Sequence, residues 1–496
     1  MKTKIFGVLL LLEALFMVSA MGVALWYGED DWKALFVGAF YTSIAGGVLS
    51  FVGSRMPEEE ELSRRDCYLV VALVWVVFSL FGMIPYLAHG TVDNVTDAFF
   101  ETMSGFSTTG ASVLDNIDAQ PHGILFWRSI TQWMGGLGIV VFSFALIPAY
   151  ELKNTNMFSA EVTGLSVDKL RPKIAATARR LLNIYLILTG ACALSYWVCD
   201  MSVYDSVCHA MCTIATGGFS THQASLAWFA SPTIEYVSAF YMFLAGVNFS
   251  LFYYASIGHF SVLGRNEELR WYVGVVTAFI LLSITLFYTL EDGSTSGDVV
   301  LSSIPSDFEG KLRSSVFHVT AIITSTGFQS QQCDYVAWGS MFWMPTMLLM
   351  VVGACAGSTG GGIKLIRISV VVKDVLNEFR LQIHPRAVLP VRLNGTVLEE
   401  QKVTRALAFV IIYVFIICIG AIVFTLMGMD TSTALGSSVS MLSNTGPGMG
   451  TTGPMSNYAA CAPAAKWVMS LFMLTGRLEI FTVLFLFIPS FWRDRI

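Results

Sequence analysis

The chain has 496 residues, 55% of them hydrophobic and only 13% charged, against about 25% charged in an ordinary soluble domain. Its mean hydropathy of +0.65 is more than one core can hide, because cores stop growing near ~250–300 residues, so a water-soluble globule is excluded and lipid is the remaining sink. A net charge of −6 and nine scattered cysteines speak against a nucleic-acid surface, a disulfide scaffold and a zinc site, since Cys208 and Cys212 have no second pair at ligand spacing.

A bilayer core of about 30 Å takes roughly 20 apolar residues as helix. Ten stretches meet that length: 5–27, 33–53, 69–88, 125–148, 181–199, 236–258, 272–290, 342–369, 405–427 and 467–491. The first carries Lys2 and Lys4 ahead of its apolar run and Val18-Ser19-Ala20 within it, as a signal peptide would. The run continues through Trp26 and a second span follows directly, which favours a retained helix. With the N-terminus inside, 23 of the 29 Lys and Arg fall in inner segments, and the outer side holds Lys33, Arg128, Lys311, Arg313 and Lys466. This asymmetry places both termini in the cytoplasm. The outer segments hold many acids, among them Asp97, Glu101, Asp118 and Asp205, and such a face concentrates cations.

Four outer loops share one pattern. Ser107-Thr108-Thr109-Gly110, Ala215-Thr216-Gly217-Gly218, Ser325-Thr326-Gly327 and Asn444-Thr445-Gly446 recur at glycine spacings of 107, 110 and 119 residues, with two spans between consecutive sites. Each follows a segment too short to span: Asp97 to Phe106, Asp205 to Ile214, Lys311 to Ile323 and Ser432 to Leu442. Three begin near an acid or hydroxyl, as helix N-termini do, while the third begins with Lys311 and Arg313 and calls for a cap by Asp307 or Glu309. The unit is therefore helix, re-entrant loop, helix, repeated four times after two extra helices. Irregular backbone at membrane depth must be buried or line a water path. Four such loops on one axis form a pore, with the negative helix ends and the loop carbonyls favouring a cation.

These motifs, with Gly135-Gly136-Leu137-Gly138, Gly246-Val247-Asn248-Phe249, Gly357-Ser358-Thr359-Gly360-Gly361-Gly362 and His384-Pro385, resemble the Trk, Ktr and HKT potassium transporters, and within them the bacterial TrkH and TrkG type. The resemblance covers nearly the whole chain. It implies an all-α, pseudo-fourfold permease acting as a homodimer in the bacterial inner membrane, surrounded by lipid and regulated by a cytosolic ring of nucleotide-binding TrkA-type subunits. The chain itself is then expected to hold no covalent cofactor, only K+ in a filter built by Thr108, Thr109, Gly110, Ala215, Thr216, Gly217, Ser325, Thr326, Gly327, Asn444, Thr445 and Gly446. An intact Gly110 implies potassium preference. The expected parts are 1–66 for the extra helices and 67–150, 151–260, 261–372 and 373–496 for the four repeats.

Within the third repeat, Gly353 to Gly362 holds five glycines, each costing about 1 kcal/mol against Ala in a helix, so an intramembrane loop is expected. It does not match a phosphate-binding G-x-x-x-x-G-K-[ST] pattern. By resemblance it is a gate of Gly357, Ser358, Thr359, Gly360, Gly361, Gly362 and Arg477. Arg477 lies at mid-span, where a charge costs roughly 2.5–3.5 kcal/mol, so it faces the pore or pairs with an acid such as Glu479. Arg128, near an outer helix end, needs only a partner such as Glu101. His209 and His318 read as packing or hydrogen-bonding residues, Cys333 and Cys461 show no pairing, and 374–402 is either a docking segment or a solvated connector. Two alternatives stand beside the potassium permease: a weakly selective Na+/K+ or ion-coupled pathway of the same fold, and a membrane enzyme, for which no nucleophile and base pattern is evident.

Overall fold

Helices dominate the computed structural model, which describes residues 2–55, 64–138, 174–291, 304–331 and 334–493. The chain opens with α1 (Lys2–Tyr27) and α2 (Trp32–Arg55), an antiparallel pair brought close by glycines. A Cβ on Gly53 would press on the Lys4 backbone within 2.8 Å, and one on Gly46 would lie 2.9 Å from the Gly7 carbonyl oxygen. Lipid offers no hydrophobic drive between helices, so small residues that permit close approach supply the attraction.

The first repeat is α3 (Arg64–Gly82) continued by α4 (Ile84–His89), then α5 (Val95–Phe106) and α6 (His122–Leu137). The α1–α2 turn caps α6: the His122 backbone N–H donates to Glu29 at 2.6 Å and that of Ile124 to Asp31 at 2.9 Å, carboxylates placed at the positive end of a helix. The second repeat is α7 (Ile174–Val198), α8 (Val203–Ile214) and the broken pair α9 (Pro232–Ala245) and α10 (Phe249–Ser256), bent by 93°. After α11 (Phe260–Arg265) comes the third, with α12 (Glu267–Glu291), α13 (Phe308–Ile323), α14 (Ser340–Val352) and α15 (Leu365–Ile383). A hairpin of β1 (Arg392–Leu393) and β2 (Thr396–Val397) leads to the fourth: α16 (Glu400–Leu426), α17 (Thr431–Ser443) and α18 (Pro463–Arg477), followed by α19 (Phe481–Leu484) and α20 (Pro489–Arg493). The break after Arg477 bends the chain by 117°.

Six described stretches are long and apolar enough to cross a membrane, and the two bent pairs add two more. The other two predicted spans differ. Residues 125–148 are described only as far as 138, and 342–369 is no single helix, since it stops at Val352 and resumes at Leu365. The expected boundary at 150/151 lies outside the described residues, and those at 66/67 and 372/373 fall inside α3 and α15. Large apolar side chains such as Leu15, Ile187, Leu281 and Ile411 are exposed on α1, α7, α12 and α16, the surface of a multi-pass membrane protein. One apolar core runs through all four repeats. A separate small cluster joins Val391, Leu393 and Leu398 of the connector to Ala356, Ile366, Val370, Val403 and Ala406.

Candidate functional site

The four half-membrane helices are α5, α8, α13 and α17, and all four end alike. At each end a residue takes left-handed φ: Thr108 at 52°, Thr216 at 54°, Ser325 at 55° and Asn444 at 54°. The N–H of the following residue reaches back five positions, Thr109 to Ser104, Gly217 to Cys212, Thr326 to Ala321 and Thr445 to Ser440, at 2.9–3.0 Å. This is the Schellman ending, which satisfies orphan carbonyls of the last turn. The next residue is a glycine of positive φ: Gly110, Gly218, Gly327 and Gly446.

The second loop thus sits one residue out of the register read from sequence. Dihedrals and hydrogen bonds align Thr216-Gly217-Gly218, rather than Ala215-Thr216-Gly217, with Thr108-Thr109-Gly110. Ala215 instead follows α8 directly and is fully buried. The source of the slip is Gly217-Gly218, where either glycine follows a plausible partner.

The loops close a ring. A Cβ on Gly110 would overlap the Gly217 carbonyl oxygen, one on Gly218 that of Thr326, one on Gly327 that of Thr445, and one on Gly446 would stand 2.5 Å from that of Thr109. First touches second, second third, third fourth and fourth first. Side chains brace it from behind: Gln132 donates to the Gly217 carbonyl at 2.6 Å and accepts from the Phe219 N–H at 3.0 Å, Tyr458 donates to the Gly446 carbonyl at 2.9 Å, and Asn444 donates to Thr109 Oγ1 at 3.0 Å. Arg128 and Glu101 pair at 2.7 Å, buried, with the guanidinium 3.5 Å over the Phe219 ring and donating to the Ser220 carbonyl. His209 bonds Ser220 Oγ at 2.8 Å and His318 bonds Thr346 Oγ1 at 3.0 Å, hydrogen-bonding roles as read from the sequence.

The outer ends of the half-helices are capped a few residues earlier than expected, by Asn94, Ser202 and Asp430, each accepting from the N–H three residues on at 2.8–3.0 Å. Asp307 holds the corresponding place on α13 without a side-chain cap bond. The basic residues there are neutralised instead, Lys311 by Glu291 at 2.6 Å and Arg313 by Glu235 at 2.8 Å and Glu309 at 3.1 Å.

Under the ring lies the glycine loop between α14 and α15. Thr359 Oγ1 donates to the Ile214 carbonyl at 3.0 Å, and the Gly361 N–H donates to Ser325 Oγ at 2.6 Å. A Cβ on Gly360 would come within 2.7 Å of the Thr324 carbonyl oxygen, and one on Gly361 would overlap that of Ser443. Glycine here is a matter of space: the loop touches three half-helix ends at backbone distance. Gly357 and Gly362 need it also for positive φ, at 71° and 80°. Arg477 completes the fourth side, donating to the Thr359 carbonyl at 2.7 Å and to the Gly135 carbonyl of the first repeat at 2.8 Å. Its sequence neighbour Glu479 lies past the end of α18 with a left-handed φ of 53° and pairs with Arg367 instead.

This arrangement meets its counterparts at this point. The TrkH family, described as cation transport protein, matches residues 32–494. The chain belongs to this family. The Trk system potassium uptake protein TrkH of Salmonella typhimurium is 36% identical over 99% of each chain, and the Trk system potassium uptake protein TrkG of Escherichia coli K12 is 30% identical over 99% of this chain and 98% of its own. The crystal structure of the potassium transporter TrkH from Vibrio parahaemolyticus matches with a TM-score of 0.86 at 31% identity, covering 99% of both chains. The TrkH family is one of transport proteins, not enzymes.

Sequence reading of this TrkH-family chain missed several residues at the site. Gln132 braces the second loop, Lys364 donates to the Gly360 carbonyl, and Glu268 accepts from the Ala356 N–H at 2.6 Å. Lys364 carried one signal, a basic residue in an apolar stretch beside Gly362. Gln132 and Glu268 lie 85 and 88 residues from their partners, and no local pattern marks them.

Proposed function

We propose that the chain is a potassium uptake permease that conducts K+ and Rb+, channel-like, through the ring of four loops. The observation that carries this is the cyclic contact of Gly110, Gly218, Gly327 and Gly446 with the carbonyl oxygens of the next loop in turn. It supports one axis, at which the negative C-terminal ends of α5, α8, α13 and α17 converge. Backbone carbonyls there replace the hydration shell of a cation. The Trk names of the relatives support potassium as that cation.

The glycine loop and Arg477 form the gate. In the arrangement described, Thr359 and Gly361 hold the loop against the half-helix ends, and the Arg477 guanidinium puts a fixed positive charge under the ring, which repels a permeating cation. Conduction requires the loop and Arg477 to part from Thr359 and Gly135. The excess of Lys and Arg on one side supports cytoplasmic termini. The homodimer, the bacterial inner membrane and the nucleotide-binding TrkA-type ring rest on the family resemblance.

The test is ion flux from purified protein in liposomes, comparing K+ and Rb+ with Na+ and Li+, for the parent chain and Gly110→Ser. A serine there must displace the Gly217 carbonyl, so the preference for K+ over Na+ is expected to fall by about tenfold or more, the equivalent of ~1.4 kcal/mol. Unchanged preference in a variant that still conducts would sink the filter.

A further inference from the structure

The connector after α15 is joined to the glycine loop by two adjacent acids. On α12, Glu267 faces the hairpin: its backbone N–H donates to Asn394 Oδ1 at 2.8 Å, its carboxylate accepts from the Asn394 N–H at 3.1 Å, and it pairs with Lys373, which donates to the Arg392 carbonyl at 2.7 Å. Glu268 faces the other way. It is 4% exposed and accepts from the Ala356 N–H at 2.6 Å, with Lys364 and Arg367 close by. Ala356 stands where the loop begins and Ile366 just past its end, so this carboxylate fastens the near end of Gly357 to Gly362, and Lys364 beside it donates to the Gly360 carbonyl. The small apolar cluster repeats the link, since it packs Val391, Leu393 and Leu398 around the same Ala356 and Ile366.

We propose that Glu268 is a positioning residue for the intramembrane loop and that the Glu267-Glu268 pair couples the hairpin Arg392–Val397 to that loop. A partner that pulls or presses the hairpin thereby shifts the loop without touching it. Coupling of this kind needs a contiguous two-way contact, and the hairpin, the first turn of α12 and the loop ends supply one. The effect on conduction rests on the reading of the loop as a gate; the coupling itself does not.

The experiment uses the full chain in detergent and in liposomes, with Glu268→Gln, Asn394→Gly and Arg477→Ala. Asn394 has φ of 50°, so glycine keeps the turn and removes only the side chain that Glu267 meets. Hydrogen exchange of residues 353–364 is expected to rise about tenfold in Glu268→Gln, the order for losing a charge-assisted hydrogen bond, and at least about twofold in Asn394→Gly, with Rb+ flux rising alongside. Should Glu268→Gln fold poorly, the exposed Asn394→Gly still decides. Faster exchange confined to 392–397, with the loop protected as in the parent, overturns the coupling. Spread of exchange into the loop while Arg477→Ala leaves flux at the parent level supports the coupling and removes the gate.

Discussion

Thr108, Thr216, Ser325 and Asn444 stand at a helix position that usually goes to glycine, and each costs about 1–2 kcal/mol for its left-handed backbone. Side-chain chemistry offsets that cost at two of them. Ser325 Oγ accepts from Gly361 of the loop below, and Asn444 bridges Thr109 Oγ1 and the Met473 carbonyl, which glycine does not do. At the outer mouth, His222 lies 2.8 Å from Asp118 and 3.6 Å from Asp205 and stacks on Trp228. Burial disfavours its charged form, but the two carboxylates outweigh burial and hold the imidazole above its ordinary 6.5. A raised folded-state value stabilises the fold below about 6.5, and this contribution is lost as pH rises through the folded value. The unfolding temperature in detergent is expected to fall across that window, and His222→Gln to flatten that part of the profile; an identical slope in the variant would refute the assignment. At this scale the sequence was legible in residue type more than in register. The Thr-Gly pattern located all four loops, while Gly217-Gly218 hid a slip that only dihedrals resolve.

The elements were legible where one physical rule governs them. Spans follow from a length of apolar residues and half-helices from a shortfall in that length, so both could be read without contacts. The break at Gly353 was readable for the same reason, because five glycines in ten residues defeat a helix. The hairpin went unread although Asn394-Gly395, the strongest short signal for a type I′ turn, announces it, with Arg392 pairing Val397 and Leu393 pairing Thr396. Contacts between distant elements, such as Arg477 with Thr359 and Gly135, were legible only as a need for partners. Crowding makes a sharp prediction for the loop. Gly361 lacks positive φ, yet a Cβ there would overlap the Ser443 carbonyl oxygen. Gly361→Ala is expected to unseat the loop and raise Rb+ leak from liposomes. Gly47→Ala, at a helical site with open space around it, is expected to change stability by no more than ~1 kcal/mol. Equal leak from the two variants would refute the steric argument.

For the whole molecule, the expected orientation rests on where the Lys and Arg lie and not on packing. Val388 in the connector is 90% exposed and Met455 near the outer mouth 60% exposed. In a background without other cysteines, Val388→Cys is expected to react with an impermeant maleimide only after cells are opened, and Met455→Cys in intact cells. The reverse pattern would invert the topology. The closed ring of loops has a further consequence that follows from its being one polypeptide. In a ring of four identical subunits every substitution is stamped on all four sides at once, and selection can accept only what the whole ring tolerates. Here each quarter carries its own codon. Thr108, Thr216, Ser325 and Asn444 fill one geometric place with three kinds of side chain, and two quarters have taken on separate duties, Asn444 bracing a neighbour and Ser325 holding the loop below. A mutation at one quarter is a dose of one in four, so such a ring can be altered in graded steps.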